Sequence, residues 1–168
     1  MTLPGTMQRE RVLSIEELAG VCARLREEGS IIAHAHGAFD LLHPGHIRHL
    51  MAARRMADVL VVTVTEDRFI KKGPGRPAFN AALRAECLAA LRVVDYVATS
   101  PWPTGVEAID LLKPHLYVKG QEYRKPSGEQ TGAIVEERRT VERCGGRLVF
   151  TDEIQFSSTK LLDEWARR

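Results

Sequence analysis

Residues 59–64, Val59-Leu60-Val61-Val62-Thr63-Val64, leave this chain few folds to choose from. The run is mostly β-branched and has no polar alternation, so it has no face that could be left in water. Such a strand must be covered on both sides, which means a parallel sheet between two helical layers. The rest of the chain supplies those layers. Ser14 and Glu17 form a capping box, with Ile15, Leu18, Cys22 and Leu25 on one face. A helix is therefore expected to about residue 28, stopped by Gly29. A strand over 31–38 and a helix over 44–56 follow. Asn80 caps a helix over 81–93 that turns Leu83, Cys87, Leu88 and Leu91 inward, and a short strand follows at 96–98. Thr104 and Glu107 make a second capping box for a helix through Leu112, ended by Pro114, before a strand at 115–119. A helix over 133–144 turns Ile134, Val135 and Val141 inward and stops at Gly145-Gly146. A last strand at 148–150 leads to a helix opened by Ser157-Ser158-Thr159-Lys160 and packed through Leu161, Leu162 and Trp165. The alternation predicts an α/β fold: a doubly wound parallel sheet of about five strands, helices on both faces, right-handed crossovers. Residues 1–12 show no periodicity and read as a flexible arm, leaving 13–168 as a single domain.

Composition narrows the function classes. A length of 168 residues suits one domain with a sizeable core. A net charge of +2 and a pI near 8.5 fit a small anionic ligand. They do not argue for nucleic acid, which would need a concentrated basic face. No stretch approaches the ~20 apolar residues of a membrane span, and no apolar signal-peptide core opens the chain, so a cytoplasmic location is expected. Cys22, Cys87 and Cys144 are odd in number and far apart. They read as reduced cysteines of the core or of helix faces, with no local motif for a catalytic thiol.

The chemistry concentrates after the first long strand, in Gly37-Ala38-Phe39-Asp40-Leu41-Leu42-His43-Pro44-Gly45-His46. The stretch reads as strand, tight glycine turn and helix N-terminus, where backbone N–H groups are free and the helix dipole favours an anion. Pro44 suits the first helical turn, and Gly45 lets a phosphate approach the backbone. His43 and His46, three apart, share a side of that helix and suit a polyphosphate whose charge grows in a transition state. A lone histidine here would be read as a helix cap; the whole pattern points further.

Other strand ends carry compatible groups. Lys71-Lys72-Gly73-Pro74-Gly75-Arg76-Pro77 follows the 59–64 strand and reads either as a phosphate clamp or as a solvated basic loop. Gly120-Gln121-Glu122-Tyr123 forms the turn after the 115–119 strand. Ser157, Ser158 and Thr159 lie beyond the last strand. All fall on the carboxyl edge of the sheet, where open α/β sheets bind ligands.

These residues resemble the signature of the cytidylyltransferase-like nucleotidyltransferases, a Rossmann-like superfamily, and the likeness runs from about Ile31 to Trp165. Val118-Lys119-Gly120 with Tyr123, the Gly145-Gly146 turn and Ser157-Ser158-Thr159 are similar to the adenylyltransferase domain of heptose-phosphate enzymes. Glycerol-3-phosphate cytidylyltransferase is a more distant likeness. The resemblance implies that an acceptor phosphate attacks the α-phosphorus of a nucleoside triphosphate in line and releases pyrophosphate. It implies backbone contacts to nucleotide and phosphates from Gly37, Ala38 and Phe39, and a turn ordered by Asp40. His43 and His46 would hold phosphate, Lys71 or Lys72 would bridge acceptor and α-phosphate, and Ser158 and Thr159 would hold the β- and γ-phosphates. Lys119, Gly120, Glu122 and Tyr123 would border base and ribose. Arg84 is read either as an anion contact or as half of a surface ion pair. Mg²⁺ is expected on the triphosphate oxygens rather than in a protein cage. Members often form dimers, so a homodimer is expected.

Heptose-type enzymes usually carry Gly-Asp where this chain has Gln121-Glu122, and the polar segment 124–131 is longer than theirs. The leading expectation is therefore transfer of CMP from CTP to a small phosphate- or phosphonate-bearing acceptor. The alternative is an ATP-dependent adenylyltransferase acting on a sugar phosphate. A nucleotide-binding module without chemistry is the third possibility. It predicts binding without turnover, and the intact histidine, lysine and Ser-Thr set speaks against it.

Overall fold

The computed structural model describes residues 10–124 and 129–152, with the side chains of 129–131 excepted. Residues 1–9, the polar stretch 125–128 and the last segment, with Ser157, Ser158, Thr159 and Trp165, lie outside the described residues.

The chain builds β1 (Val12–Leu13), α1 (Ile15–Glu27), β2 (Ile32–Gly37), α2 (Pro44–Arg55), β3 (Val59–Thr65), α3 (Ala81–Ala89), β4 (Tyr96–Ser100), α4 (Val106–Leu112), β5 (Leu116–Lys119), α5 (Glu129–Arg143) and β6 (Arg147–Phe150). One-turn 3₁₀ helices, Asp67–Phe69 and Gln121–Arg124, follow β3 and β5. All strand pairs are parallel, in the order β1-β4-β3-β2-β5-β6. The chain first winds from β2 outward through β3 and β4, then crosses back to lay β5 on the other side of β2. The switch point is thus the β2/β5 crevice.

β3 behaves as its composition demands. Leu60, Val62 and Val64 pack with Ala33, Ala35, Leu50, Ala53 and Leu88, under α2 and α3. Val61, on the opposite face, packs with Ile32, Leu18, Cys22 and Leu112, under α1 and α4. Burial pushes the Cys22 thiol up to about 11, with Arg26 pulling weakly the other way, so it stays protonated as a core side chain.

Four expectations are corrected. The sheet has six strands, because residues 10–12 are not all arm: Val12 and Leu13 pair with Val97 and Ala98, and the Val97 N–H donates to the Arg11 carbonyl. α3 is capped by Asn80 as expected but ends at Ala89, and it buries Arg84, Ala85 and Leu88 while Leu83 and Cys87 are exposed. The face rotates because Arg84 finds buried acceptors, as described below. Thr104 is not the N-cap residue of α4, though its hydroxyl accepts the Val106 N–H at 3.4 Å and meets Glu107 at 3.5 Å. Gly105 holds that position, and its amide donates to Glu137. α5 begins at Glu129 and turns Ile134, Glu137 and Val141 inward, leaving Val135 exposed.

Candidate active site

The β2–α2 turn carries the densest chemistry on the carboxyl edge. His43 is the N-cap residue of α2, and its Nδ1 accepts the backbone N–H of His46 at 3.4 Å. The capping contact stacks the two imidazoles, centroids 3.7 Å apart and planes 21° off parallel. Phe39 closes the other side of His46, edge-on at 5.3 Å, and holds φ +45°, a conformation unusual for a side chain of its size. With Nδ1 accepting, neutral His43 carries its proton on Nε2, where it can donate to a phosphate oxygen. Burial, then the charge of Lys72, lowers the His43 pKa. Burial, then His43, His49 and Lys72, brings His46 to about 3, against a weaker upward pull from a Leu41 backbone hydrogen bond. At neutral pH both rings are uncharged.

Asp40 is buried and bound on both oxygens by protein groups. One oxygen pairs with Arg76, and the other accepts the Ala78 N–H at 2.7 Å. The carboxylate therefore pins the basic loop to the glycine turn. Arg76, expected as a phosphate contact, is spent in this pairing. Both lysines of the loop are exposed. Desolvation lowers the Lys72 pKa, Asp40 raises it, and Arg76 and Arg84 lower it further. Lys72 thus lies within the field of the carboxylate, the arginines and both histidines.

Arg84 forms an ion pair with Asp67, but its own side chain is buried rather than on the surface. It is 2% exposed and donates to the carbonyls of Ala38, Thr65 (2.8 Å) and Phe79 (2.9 Å) and to Asp67 (2.6 Å). It ties the ends of β2 and β3 together. Since the Ala38 carbonyl and the Phe39 N–H share one peptide plane and point opposite ways, Arg84 also aims that N–H.

Beyond β5, the backbone N–H of Thr151 donates to the Lys119 carbonyl at 3.0 Å. Lys119 is buried and paired with Glu137, so it does not present a free cation. The Glu122 carboxylate folds back over Gly120, where an added Cβ would overlap it. Tyr123 lies over the Lys119 ammonium, 4.4 Å from the ring centre. The β2/β5 register runs from Ala33–Leu116 to Ala35–Val118, so Gly37 and Gly120 both lie past the last pair, at the carboxyl end of the two strands.

Sequence reasoning missed the polar residues beneath this edge. Thr63 Oγ1 lies 2.7 Å from His34 Nε2 and 2.8 Å from His36 Nδ1, and His36 Nε2 is 3.3 Å from Thr65 Oγ1. His49, one turn beyond His46, meets Thr151 Oγ1 at 2.8 Å. The alternation His34-Ala35-His36 within a buried strand was the available signal, since only one face of such a strand would then be polar.

The sequence profile of the Cytidylyltransferase-like family matches residues 34–163, from β2 through the last segment. The chain belongs to that family. It is a nucleotidyltransferase-type domain, and its relatives include the bifunctional protein HldE of Syntrophotalea carbinolica, 38% identical over 146 residues. HldE of a Bradyrhizobium species is 40% identical over 153 residues. These matches cover 86% and 90% of this chain but 28% and 30% of those proteins, so the chain spans under a third of their length. Among solved structures, a lipopolysaccharide core biosynthesis protein from Thermoplasma volcanium matches with a TM-score of 0.61 and 26% identity, over 76% of this chain and all of that one. Pantoate-beta-alanine ligase from Francisella tularensis shares the fold, with a TM-score of 0.63 at 14% identity, over 90% of this chain and 72% of that one.

Proposed function

We propose that this cytidylyltransferase-like domain transfers AMP from ATP to a sugar phosphate, as in the heptose-phosphate adenylyltransferases it resembles, with release of pyrophosphate. The observation that carries the reaction type is the stacked His43–His46 pair at the α2 N-terminus, beside a turn whose Ala38 carbonyl Arg84 holds and which Asp40 ties to the 76–78 loop. The likeness to HldE over most of the chain supports ATP and a sugar phosphate, the alternative in the sequence reading, over CTP and a phosphonate.

In this reading an oxygen of the acceptor phosphate attacks the α-phosphorus. The new P–O bond forms as the bond to the β-phosphate bridging oxygen breaks, and pyrophosphate leaves. The nucleophile is already anionic, so no general base is needed, and catalysis rests on positioning and charge stabilisation. The Gly37–Phe39 backbone and the α2 N-terminus receive the phosphates. Neutral His43 and His46 hydrogen-bond the α-phosphate and the leaving group. Lys72, rather than Lys71, bridges acceptor and α-phosphate. Ser158 and Thr159 remain assigned to the β- and γ-phosphates on sequence pattern alone. Asp40, the carboxylate of the signature, has both oxygens engaged by protein. Mg²⁺, when bound, would be held mainly by the triphosphate oxygens and would neutralise phosphate charge.

Pyrophosphate release tests the assignment, measured with ATP or CTP against a panel of sugar 1-phosphates, polyol phosphates and phosphonates. Turnover with ATP and a sugar phosphate is expected. Turnover with CTP alone would return the assignment to a cytidylyltransferase.

A further inference from the structure

Glu137 has no place in a scheme of apolar helix-on-sheet packing. It lies in mid-α5 and is 3% exposed, next to Lys119, which is 7% exposed at the end of β5. Lys119 Nζ is 3.2 Å from Glu137 Oε2 and donates to the Tyr117 hydroxyl at 3.4 Å. The other Glu137 oxygen accepts the Gly105 N–H at 3.0 Å, which anchors the start of α4. A Cβ on Gly105 would overlap the Tyr117 hydroxyl, so the backbone approaches as closely as it can. The remaining side of the ammonium faces the Tyr123 ring. One ion pair thus joins α4, β5, α5 and the Gln121–Arg124 turn, which follows β5 at the carboxyl edge where β2 and β5 are neighbours.

We propose that Glu137 is a positioning residue for nucleotide binding. By holding Lys119 as a buried cation under Tyr123, it fixes the 120–124 turn as the wall against which base and ribose lie. The proposal rests on the nucleotidyl-transfer reading of the site. Its physical motive is that stability alone does not call for this pair. Two charges lose their hydration here, and apolar side chains of similar volume serve a core as well or better. The pair does supply a unique geometry, since ammonium, carboxylate, amide and ring each fix another's direction. Two further bonds carry that geometry to the signature helix. The Lys119 carbonyl accepts from the Thr151 N–H, and the Thr151 hydroxyl meets His49 on α2.

Two variants separate positioning from mere structure. Glu137→Gln keeps the shape but leaves Lys119 without its counter-charge. KM for ATP should rise about tenfold while kcat at saturating ATP stays within about threefold, because the reacting groups are untouched. The double variant Lys119→Met/Glu137→Leu replaces the pair by an apolar contact. Its Tm should return to within a few degrees of wild type, while its Kd for ATP with Mg²⁺, by titration calorimetry, stays about tenfold weaker. A double variant with both Tm and ATP affinity restored would overturn the proposal. If the double variant does not fold, Glu137→Gln decides alone, and an unchanged KM for ATP would refute it. Wild-type protein that bound neither ATP nor CTP would instead overturn the nucleotide reading beneath the proposal.

Discussion

Arg84→Met should be the most damaging single substitution that touches no ligand. The guanidinium serves three carbonyls and one carboxylate at the junction of β2, β3 and α3. Asp67 is about half exposed, and Phe79 lies at the surface, so water can replace the lost donor at both. The Ala38 and Thr65 carbonyls are left without their charged donor. A buried polar group stripped of its partner costs about 1–3 kcal/mol, so the pair predicts a loss of roughly 2–6 kcal/mol. For a domain of this size that is a fall in Tm of about 5–20 °C. Activity should fall further than stability explains, because the Ala38–Phe39 peptide plane is free to turn once its oxygen is released. Arg84→Lys should recover part of the stability and little of the rate, since one ammonium cannot reproduce the fork. Thermal unfolding and initial rates, taken well below Tm, give both numbers. An Arg84→Met variant within about 1 kcal/mol of wild type, with normal rates, would refute the reasoning.

Three other outcomes follow from the same geometry. Lys72→Ala should cost about 10²-fold in kcat/KM and Lys71→Ala less than about threefold; equal effects would contradict the assignment of the bridging role to Lys72. Asp40→Asn should weaken its hold on Arg76 and raise KM for both substrates, visible as faster proteolysis of the 71–78 loop; an unchanged cleavage rate would contradict it. Stability should fall in mild acid. Burial, reinforced by Lys119, brings His34 to about 3, and burial with Lys119 and His34 takes His36 well below its usual value. Burial with Lys119 brings His49 to about 4. These rings are neutral in the fold but protonate in the unfolded chain below about 6.5, so the unfolded state binds more protons and stability drops from there downward. His34 alone accounts for about 2 kcal/mol between pH 6.5 and 5; urea midpoints that stay flat across that interval would contradict the burial.

The layers and the signature were legible in the sequence for the same reason: both are local. A 59–64 run with no polar face admits only a two-sided burial, and a glycine turn ahead of His-Pro-Gly-His declares a helix N-terminus by capping chemistry alone. What escaped was non-local. Arg84 looked like a surface cation because nothing nearby in sequence shows that Ala38, Thr65 and Phe79 converge on it. Arg76 looked like a phosphate ligand because Asp40, its partner, lies 36 residues away. Glu137 sits in a charged helix, where one more glutamate carries no signal until β5 brings Lys119 beneath it. Val12 and Leu13 form too short a strand to show a period, and only the open edge of β4 makes them one. The choice of nucleotide was beyond motif reading, since the Gln121-Glu122 difference pointed one way and the overall likeness to HldE the other.

The central claim is that the stacked histidine pair stabilises nucleotidyl transfer. The most direct measurement is the rate of pyrophosphate release from ATP and a sugar phosphate acceptor for wild type, His43→Ala and His46→Ala, with ATP affinity measured alongside. Each variant should keep its fold and lose about 10²–10³-fold in kcat, as expected for one preorganised charge-stabilising group. Two variants that turn over at near wild-type rates would contradict the account.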